Sequence, residues 1–212
     1  WLRTGDLGRM DNDGYVFVGM GPDVNSVGSG PTVATDLSGV TRSSSNAYGD
    51  LYTGTAVING ISVSTTAFVD ATANTTILYV FNSNASVLVA GGEAVSSIPQ
   101  GTFEYVGTNG LGRRDGTYSE TGTFAMTVDF TKGSAALSGS TTTSTVAATG
   151  ISVNSSTGTF QSTNVDIRLN GGSPIAGSIY GNFHNADATG VSGIYHDNAL
   201  NPIYAGAIAG HR

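Results

Sequence analysis

Residues 175–184 read Ile-Ala-Gly-Ser-Ile-Tyr-Gly-Asn-Phe-His, and residues 190–196 read Gly-Val-Ser-Gly-Ile-Tyr-His. In the first run Ile175, Gly177, Ile179, Gly181 and Phe183 form one alternating set. Phe124, Met126, Val128 and Phe130 do the same within Gly122 to Phe130. A period of two places each set on one face of a strand, which suits a sheet with a dry side and a wet side. Glycines sit inside these strands at Gly177, Gly181 and Gly193, and again at Gly206. Without a Cβ, such positions let strands coil tightly and let neighbours approach closely.

Working outward from this hairpin, the chain after Pro99 carries turn signals roughly every 10 to 15 residues, the rhythm of an all-β sandwich or barrel. Strands are expected near Gly101 to Gly107, Gly122 to Phe130, Ala135 to Ser140, Val146 to Val153, Phe160 to Leu169, Ile175 to His184, Gly190 to His196 and Ile203 to Gly210. An even number of short strands, glycines within them and no helix to cover a bare face favour an eight-stranded antiparallel barrel, with a sandwich as the competitor. Gly-Thr-Phe recurs at Gly101, Gly122 and Gly158 as a strand entry, at unequal spacings that exclude a solenoid. Ala205, Ala207 and Ala209 suggest a last strand packed where space is limited.

The N-terminal part has a different character, and the change at Ile98-Pro99 divides the chain into a β region at 1–97 and a barrel domain at 98–212. Strand-like runs appear at Tyr52 to Ile58, Ile61 to Asp70, Thr75 to Phe81 and Ser86 to Ala90. Asn59-Gly60 lies between the first two, a pair suited to a hairpin turn whose central residues both need positive φ. The turn signal Asp11-Asn-Asp-Gly14 feeds a further alternating run to Met20. Residues 21–50 read as loop, with at most a short strand around Thr32 to Leu37.

Composition agrees with an all-β chain and narrows the functions open to it. Gly, Ser, Thr and Asn supply 97 of 212 residues, while exposed helix formers are scarce: one lysine, Lys132, and three glutamates. A net charge of −7 leaves no basic surface for a nucleic-acid backbone. No run approaches the roughly 20 apolar residues of a spanning helix. The absence of cysteine removes disulfides, thiol nucleophiles and thiolate metal sites. The lysine-poor, acidic balance resembles that of secreted or surface proteins of Gram-negative bacteria. Because the chain begins at Trp1, a signal peptide or lipid-anchoring cysteine would lie upstream.

No catalytic constellation emerges. The serines include no Gly-x-Ser-x-Gly elbow, no glycine-rich loop leads into a helix, and Asp115, Asp129, Asp166 and Glu104 show no readable pairing. Asp11-Asn-Asp13-Gly14 lacks the ligand spacing of a calcium loop and reads as an Asx-stabilised turn. His184 and His196 fall on adjacent expected strands, with His211 beside the C-terminus. Adjacent strands let imidazoles approach each other, the arrangement that holds haem iron or zinc; the plainer account puts these histidines in polar turns at the barrel rim. Tyr180, Phe183, Tyr195 and Tyr204 form the candidate interaction surface, with core packing or cross-strand pairing as the alternative. The residues call for no cofactor.

Two resemblances bear on function. GTFEYVG from Gly101, GTFAMTVDFTKGSAALSG from Gly122, GTFQSTNVDIRLNG from Gly158, GSIYGNFHNADATGVSGIYHDN from Gly177 and YAGAIAG from Tyr204 together resemble the barrel domain of the transferrin-binding-protein-B-like family of surface lipoproteins. The likeness covers about residues 95 to 212 and departs from the family pattern at Asn182-Phe-His184. It implies an eight-stranded up-and-down barrel, a handle-like N-terminal region, attachment at the outer membrane or cell surface, and capture of a protein or small ligand, iron- or haem-related in some members, without turnover. Trp1 to Gly19 resembles the Thr-Gly-Asp segment of adenylate-forming enzymes, in which the residue matching Asp6 would hold ribose hydroxyls. The phosphate loop and catalytic lysine of that family have no counterpart, since Lys132 lies in a Thr-Lys-Gly turn. A structural alternative is assembly into a surface layer or filament through strand edges.

Overall fold

The computed structural model describes residues 16–19, 32–36, 39–58, 61–70, 72–73, 75–81, 86–92, 95–113, 115, 117–200 and 202–212. Seven strands form an N-terminal sheet: β1 (Val16–Gly19), β2 (Thr32–Asp36), β3 (Val40–Ser45), β4 (Gly49–Ile58), β5 (Ile61–Asp70), β6 (Thr76–Phe81) and β7 (Ser86–Gly91). Their order is β1-β2-β4-β5-β6-β7, with β3 also paired to β4. Strands β4 and β5 pair over their whole lengths, from Gly49 opposite Asp70 to Ile58 opposite Ile61. That register leaves two residues between them, and Asn59-Gly60 itself lies outside the described residues, as do the Asp11 to Gly14 turn and Asp6.

Eight further strands close into a barrel: β8 (Thr102–Arg113), β9 (Ser119–Asp129), β10 (Ser134–Ser140), β11 (Ser144–Asn154), β12 (Thr159–Leu169), β13 (Ile175–His184), β14 (Gly190–Asp197) and β15 (Tyr204–His211). Each pairs antiparallel with its neighbours in sequence, and β15 closes the ring onto β8 from Tyr204 opposite Arg113 to His211 opposite Val106. The barrel is therefore up-and-down, and the sandwich alternative is removed by the continuous ladder. All eight expected barrel strands are present. One N-terminal strand, β3, lies within the stretch read as loop.

Alternation along the strands sorts side chains to the two sides of the wall. Phe124, Met126, Val128 and Phe130, with Leu137, Val146, Ile151, Phe160, Ile167 and Ile179, point inward and fill the interior. Full burial of one such side chain contributes about 1.5–3 kcal/mol. Outward positions of β9 to β12 hold Thr123, Thr127, Ser138, Thr145, Gln161, Asp166 and Arg168, all exposed. An apolar interior with a polar outside is the reverse of a membrane-spanning barrel, whose apolar band faces lipid. The alternation skips a beat where Thr149-Gly150 and Thr163-Asn164 both turn outward on the paired strands β11 and β12. Gly150, at φ 64°, supplies the left-handed residue such an irregularity needs.

Strands β14 and β15 break the wet-side rule, being almost wholly buried on both faces. Their outer face is covered by the N-terminal sheet: Ile194, Ala207 and Ala209 pack against Phe68, Ile77 and Ala90. The small residues of β15 are thus where the sheet presses on the barrel. Polar ties surround this contact. Thr75 Oγ1 donates to the Gly210 carbonyl at 3.2 Å, Asn185 Nδ2 donates to the Ala73 carbonyl at 2.6 Å, and His211 Nδ1 lies 2.6 Å from Asp70 Oδ2.

Candidate functional site

The histidines do not form a pair. In the β13–β14 register Ser178 stands opposite His196 and His184 opposite Gly190. The two imidazoles are therefore six strand positions apart, roughly 20 Å at the usual rise. His184 Nε2 bonds Ser192 Oγ at 2.7 Å, under the close approach of Gly92. His196 Nδ1 donates to the Asp197 carbonyl at 2.7 Å, its ring stacks on Tyr180 with centroids 6.1 Å apart, and its Nε2 is buried without a partner. Among the described residues no group of three or more His, Asp or Glu side chains is placed to hold a metal ion.

The aromatic set divides in two. Phe183 is buried among Tyr105, Phe130 and Phe160, with centroids 5.3, 4.8 and 5.4 Å away. Tyr195 is fully buried, and its hydroxyl donates to Asn109 Oδ1 at 2.7 Å. Both belong to the barrel interior, which corrects the expectation that they form an interaction surface: inward-facing register positions carry them. Tyr180 and Tyr204 remain half-buried on the wall.

A different feature faces outward. The turns after β8, β10, β12 and β14 gather at one end of the barrel. The first three are polar at their tips, as in Thr141-Thr-Thr143 and Gly171-Gly-Ser173. The β14–β15 loop instead presents Leu200, 96% exposed, and Ile203, 46% exposed, the only exposed large hydrophobic side chains among the described residues. The loop is held from below by Asp197, itself 3% exposed. Oδ1 of Asp197 accepts the Ala199 N–H at 3.0 Å, and Oδ2 accepts those of Ile203 at 2.8 Å and Tyr204 at 2.7 Å. Ser178 Oγ adds a bond to Asn198 Oδ1 at 2.7 Å. A buried carboxylate with three backbone donors fixes the loop that displays the leucine.

The neighbouring β10–β11 turn is fixed in the same way. Glu120, on β9, accepts the hydroxyl of Thr141 and, from Thr143, the hydroxyl at 2.7 Å and the N–H at 3.1 Å. Partial burial pushes the Glu120 carboxyl upward, but the hydrogen bonds from Thr141, Thr143 and Tyr118 outweigh it and hold the group at about 2. Outside this end, the hydrogen bonds and charge of Lys132 hold Asp129 below its ordinary value at the β9–β10 turn.

No protein-family profile and no curated protein matches the sequence. Solved structures do. The chain is similar to a double mutant of transferrin binding protein B from Haemophilus parasuis Hp5, at 13% identity over 86% of this chain and 39% of that one, with a TM-score of 0.52. It is also similar to the isotype 1 protein from serogroup B Neisseria meningitidis, at 14% identity over 80% of this chain and 36% of that one, with a TM-score of 0.54.

The fold is transferrin-binding-protein-B-like.

The likeness extends beyond the barrel, since 80% or more of the chain is covered, so the N-terminal sheet takes part in it. This chain spans under two fifths of the length of those two structures. Within this TbpB-like fold, Leu200 and Asp197 are not among the sequence-predicted site residues, and the last strand starts at Tyr204, one residue after the expected Ile203. The signal was a lone Leu between Asn198 and Asn201, in a turn set where polar residues stand at every other tip.

Proposed function

We propose that this is a non-catalytic bacterial binding protein, displayed at the cell surface or secreted, that captures a protein partner through the β14–β15 end of its barrel. The observation that carries this reading is the Asp197-anchored loop with Leu200 in solvent. A loop whose backbone is tied at Ala199, Ile203 and Tyr204 loses less conformational freedom on docking than an untied one, which favours affinity. The filled interior argues for capture outside the barrel rather than of a small ligand within it. The TbpB-like fold supports binding over turnover, because the similar structures are named for binding transferrin.

Transferrin is accordingly the first probe, and biosensor titration of the wild-type chain and a Leu200→Asp variant is the test. An apolar anchor that becomes buried on docking is worth about 1 kcal/mol or more, so the variant should bind about fivefold or more weakly. Equal binding by both chains would remove the loop from the interface. No binding by either would remove transferrin as the partner.

A further inference from the structure

Three Asn-Gly pairs occur in the chain: Asn59-Gly60, Asn109-Gly110 and Asn170-Gly171. The two within the described residues stand in opposite settings. Asn109 is 1% exposed, its Oδ1 accepts the Tyr195 hydroxyl, and Gly110 is paired on both sides, with Ala207 and Thr121. Asn170 and Gly171 are exposed at the tip after β12. With φ of 51° and 68°, and Gly172 N–H donating to the Leu169 carbonyl at 2.8 Å, they are the two central residues of a tight turn with positive φ at both. The Asn170 backbone N–H is taken by the Thr143 carbonyl at 2.7 Å. Its side-chain amide and the Gly171 N–H have no hydrogen-bond partner among the described residues. A Cβ placed on Gly171 would meet nothing within 4 Å, so the turn tip has open space around it.

We propose that Asn170-Gly171 is a self-modification site, at which the chain converts an amide to a carboxylate without an enzyme. The Gly171 nitrogen gives up its proton to solvent base and attacks Cγ of Asn170. The new N–Cγ bond closes a five-membered succinimide, the Cγ–NH2 bond breaks, and the amide leaves as ammonia after taking a proton. Water then adds to one of the two ring carbonyls and opens the ring, giving aspartate or, by cleavage at the other C–N bond, isoaspartate. Nitrogen leaves as ammonia, oxygen enters from water, and no oxidation state changes. The product adds one negative charge to a chain at −7. It does so beside Arg168, whose Nη1 lies 3.5 Å from the Gly172 carbonyl. Where isoaspartate forms, an extra methylene enters the backbone of the turn. Asn109 is denied the same chemistry because its side chain is held by Tyr195 and its strand must first separate from both neighbours.

The test is incubation of the purified full chain at neutral and mildly alkaline pH, followed by peptide mass mapping and isoaspartate labelling with an isoaspartyl methyltransferase. Conversion should appear at Asn170, rise with pH, and outpace Asn109 by about tenfold or more, since Asn109 reacts only through local opening. Gly171→Ala should slow it, and Asn170→Ser should abolish it while leaving Asn109 unchanged. Retention of the amide at Asn170 under conditions that convert the same sequence in an unstructured synthetic peptide would overturn the proposal. So would equal rates at Asn170 and Asn109 in the folded chain.

Discussion

Glu120 shows how a single charge organises a turn. In the folded chain its carboxyl sits at about 2, against 4.5 for the free side chain. A depressed acid contributes stability that is fully present above the unfolded value and is lost as pH falls through the folded one. Urea denaturation between pH 5 and 2 should therefore show stability declining from about pH 4.5 downward. A Glu120→Gln variant should lose much of that dependence, and an unchanged pH profile would refute the role given to this side chain. Other single residues were only partly legible. Phe183 falls in the same alternating set as Ile179, so its inward direction was available from sequence. Tyr195 was ambiguous because Ile194 and Tyr195 are both apolar and both buried, one outside the wall and one inside. The separation of His184 from His196 depends on hairpin register, which the residues at 185–189 set through a 3-10 turn at Ala186–Ala188 and not through a two-residue hairpin code.

At the scale of elements, the barrel strands were readable because three independent signals coincide: period-two alternation, Gly-led strand entry and short polar turns. Strand β3 carried none of them. Val-Thr-Arg-Ser-Ser-Ser is exposed at nearly every position, so it has no dry face to create an alternation, and only its ladder to β4 makes it a strand. The glycines inside strands acquire specific partners. Phe160 lies over Gly181 and Gly193, and Tyr195 over Gly206, in each case where a Cβ would stand 2.2 to 3.0 Å from the ring. At Gly206, as at Gly181, a backbone carbonyl also lies 2.3 Å from the added atom, here that of Gly110. Neither the tyrosine ring, held by its bonds to Asn109 and Gly110, nor the backbone can move away cheaply. Gly206→Val should cost about 1–3 kcal/mol or more, read as a lowered urea midpoint. A variant as stable as the wild type would mean that the Tyr195 ring does not cover this strand.

For the whole molecule, the sheet and the barrel meet through a small apolar contact rimmed by hydrogen bonds. Asp70 organises that rim: it is fully buried, with Oδ1 accepting the N–H groups of Thr72 and Ala73 at 2.9 and 2.8 Å and Oδ2 facing His211. This joint lies on the outer wall of β13 to β15. The loop carrying Leu200 follows β14 and lies beyond the end of that wall. The change of character at Ile98-Pro99 falls between the last sheet strand, β7, and the first barrel strand, β8. The contact between sheet and barrel was not legible in the sequence, because it depends on three alanines and a histidine whose partners lie more than a hundred residues away. Amide hydrogen exchange over the full chain, with and without saturating transferrin, tests the central claim most directly. External capture at this end of the barrel predicts added protection in peptides spanning 198–204, with the interior strands unchanged. Protection at the opposite turns, 155–158 and 185–189, with none at 198–204, would contradict it.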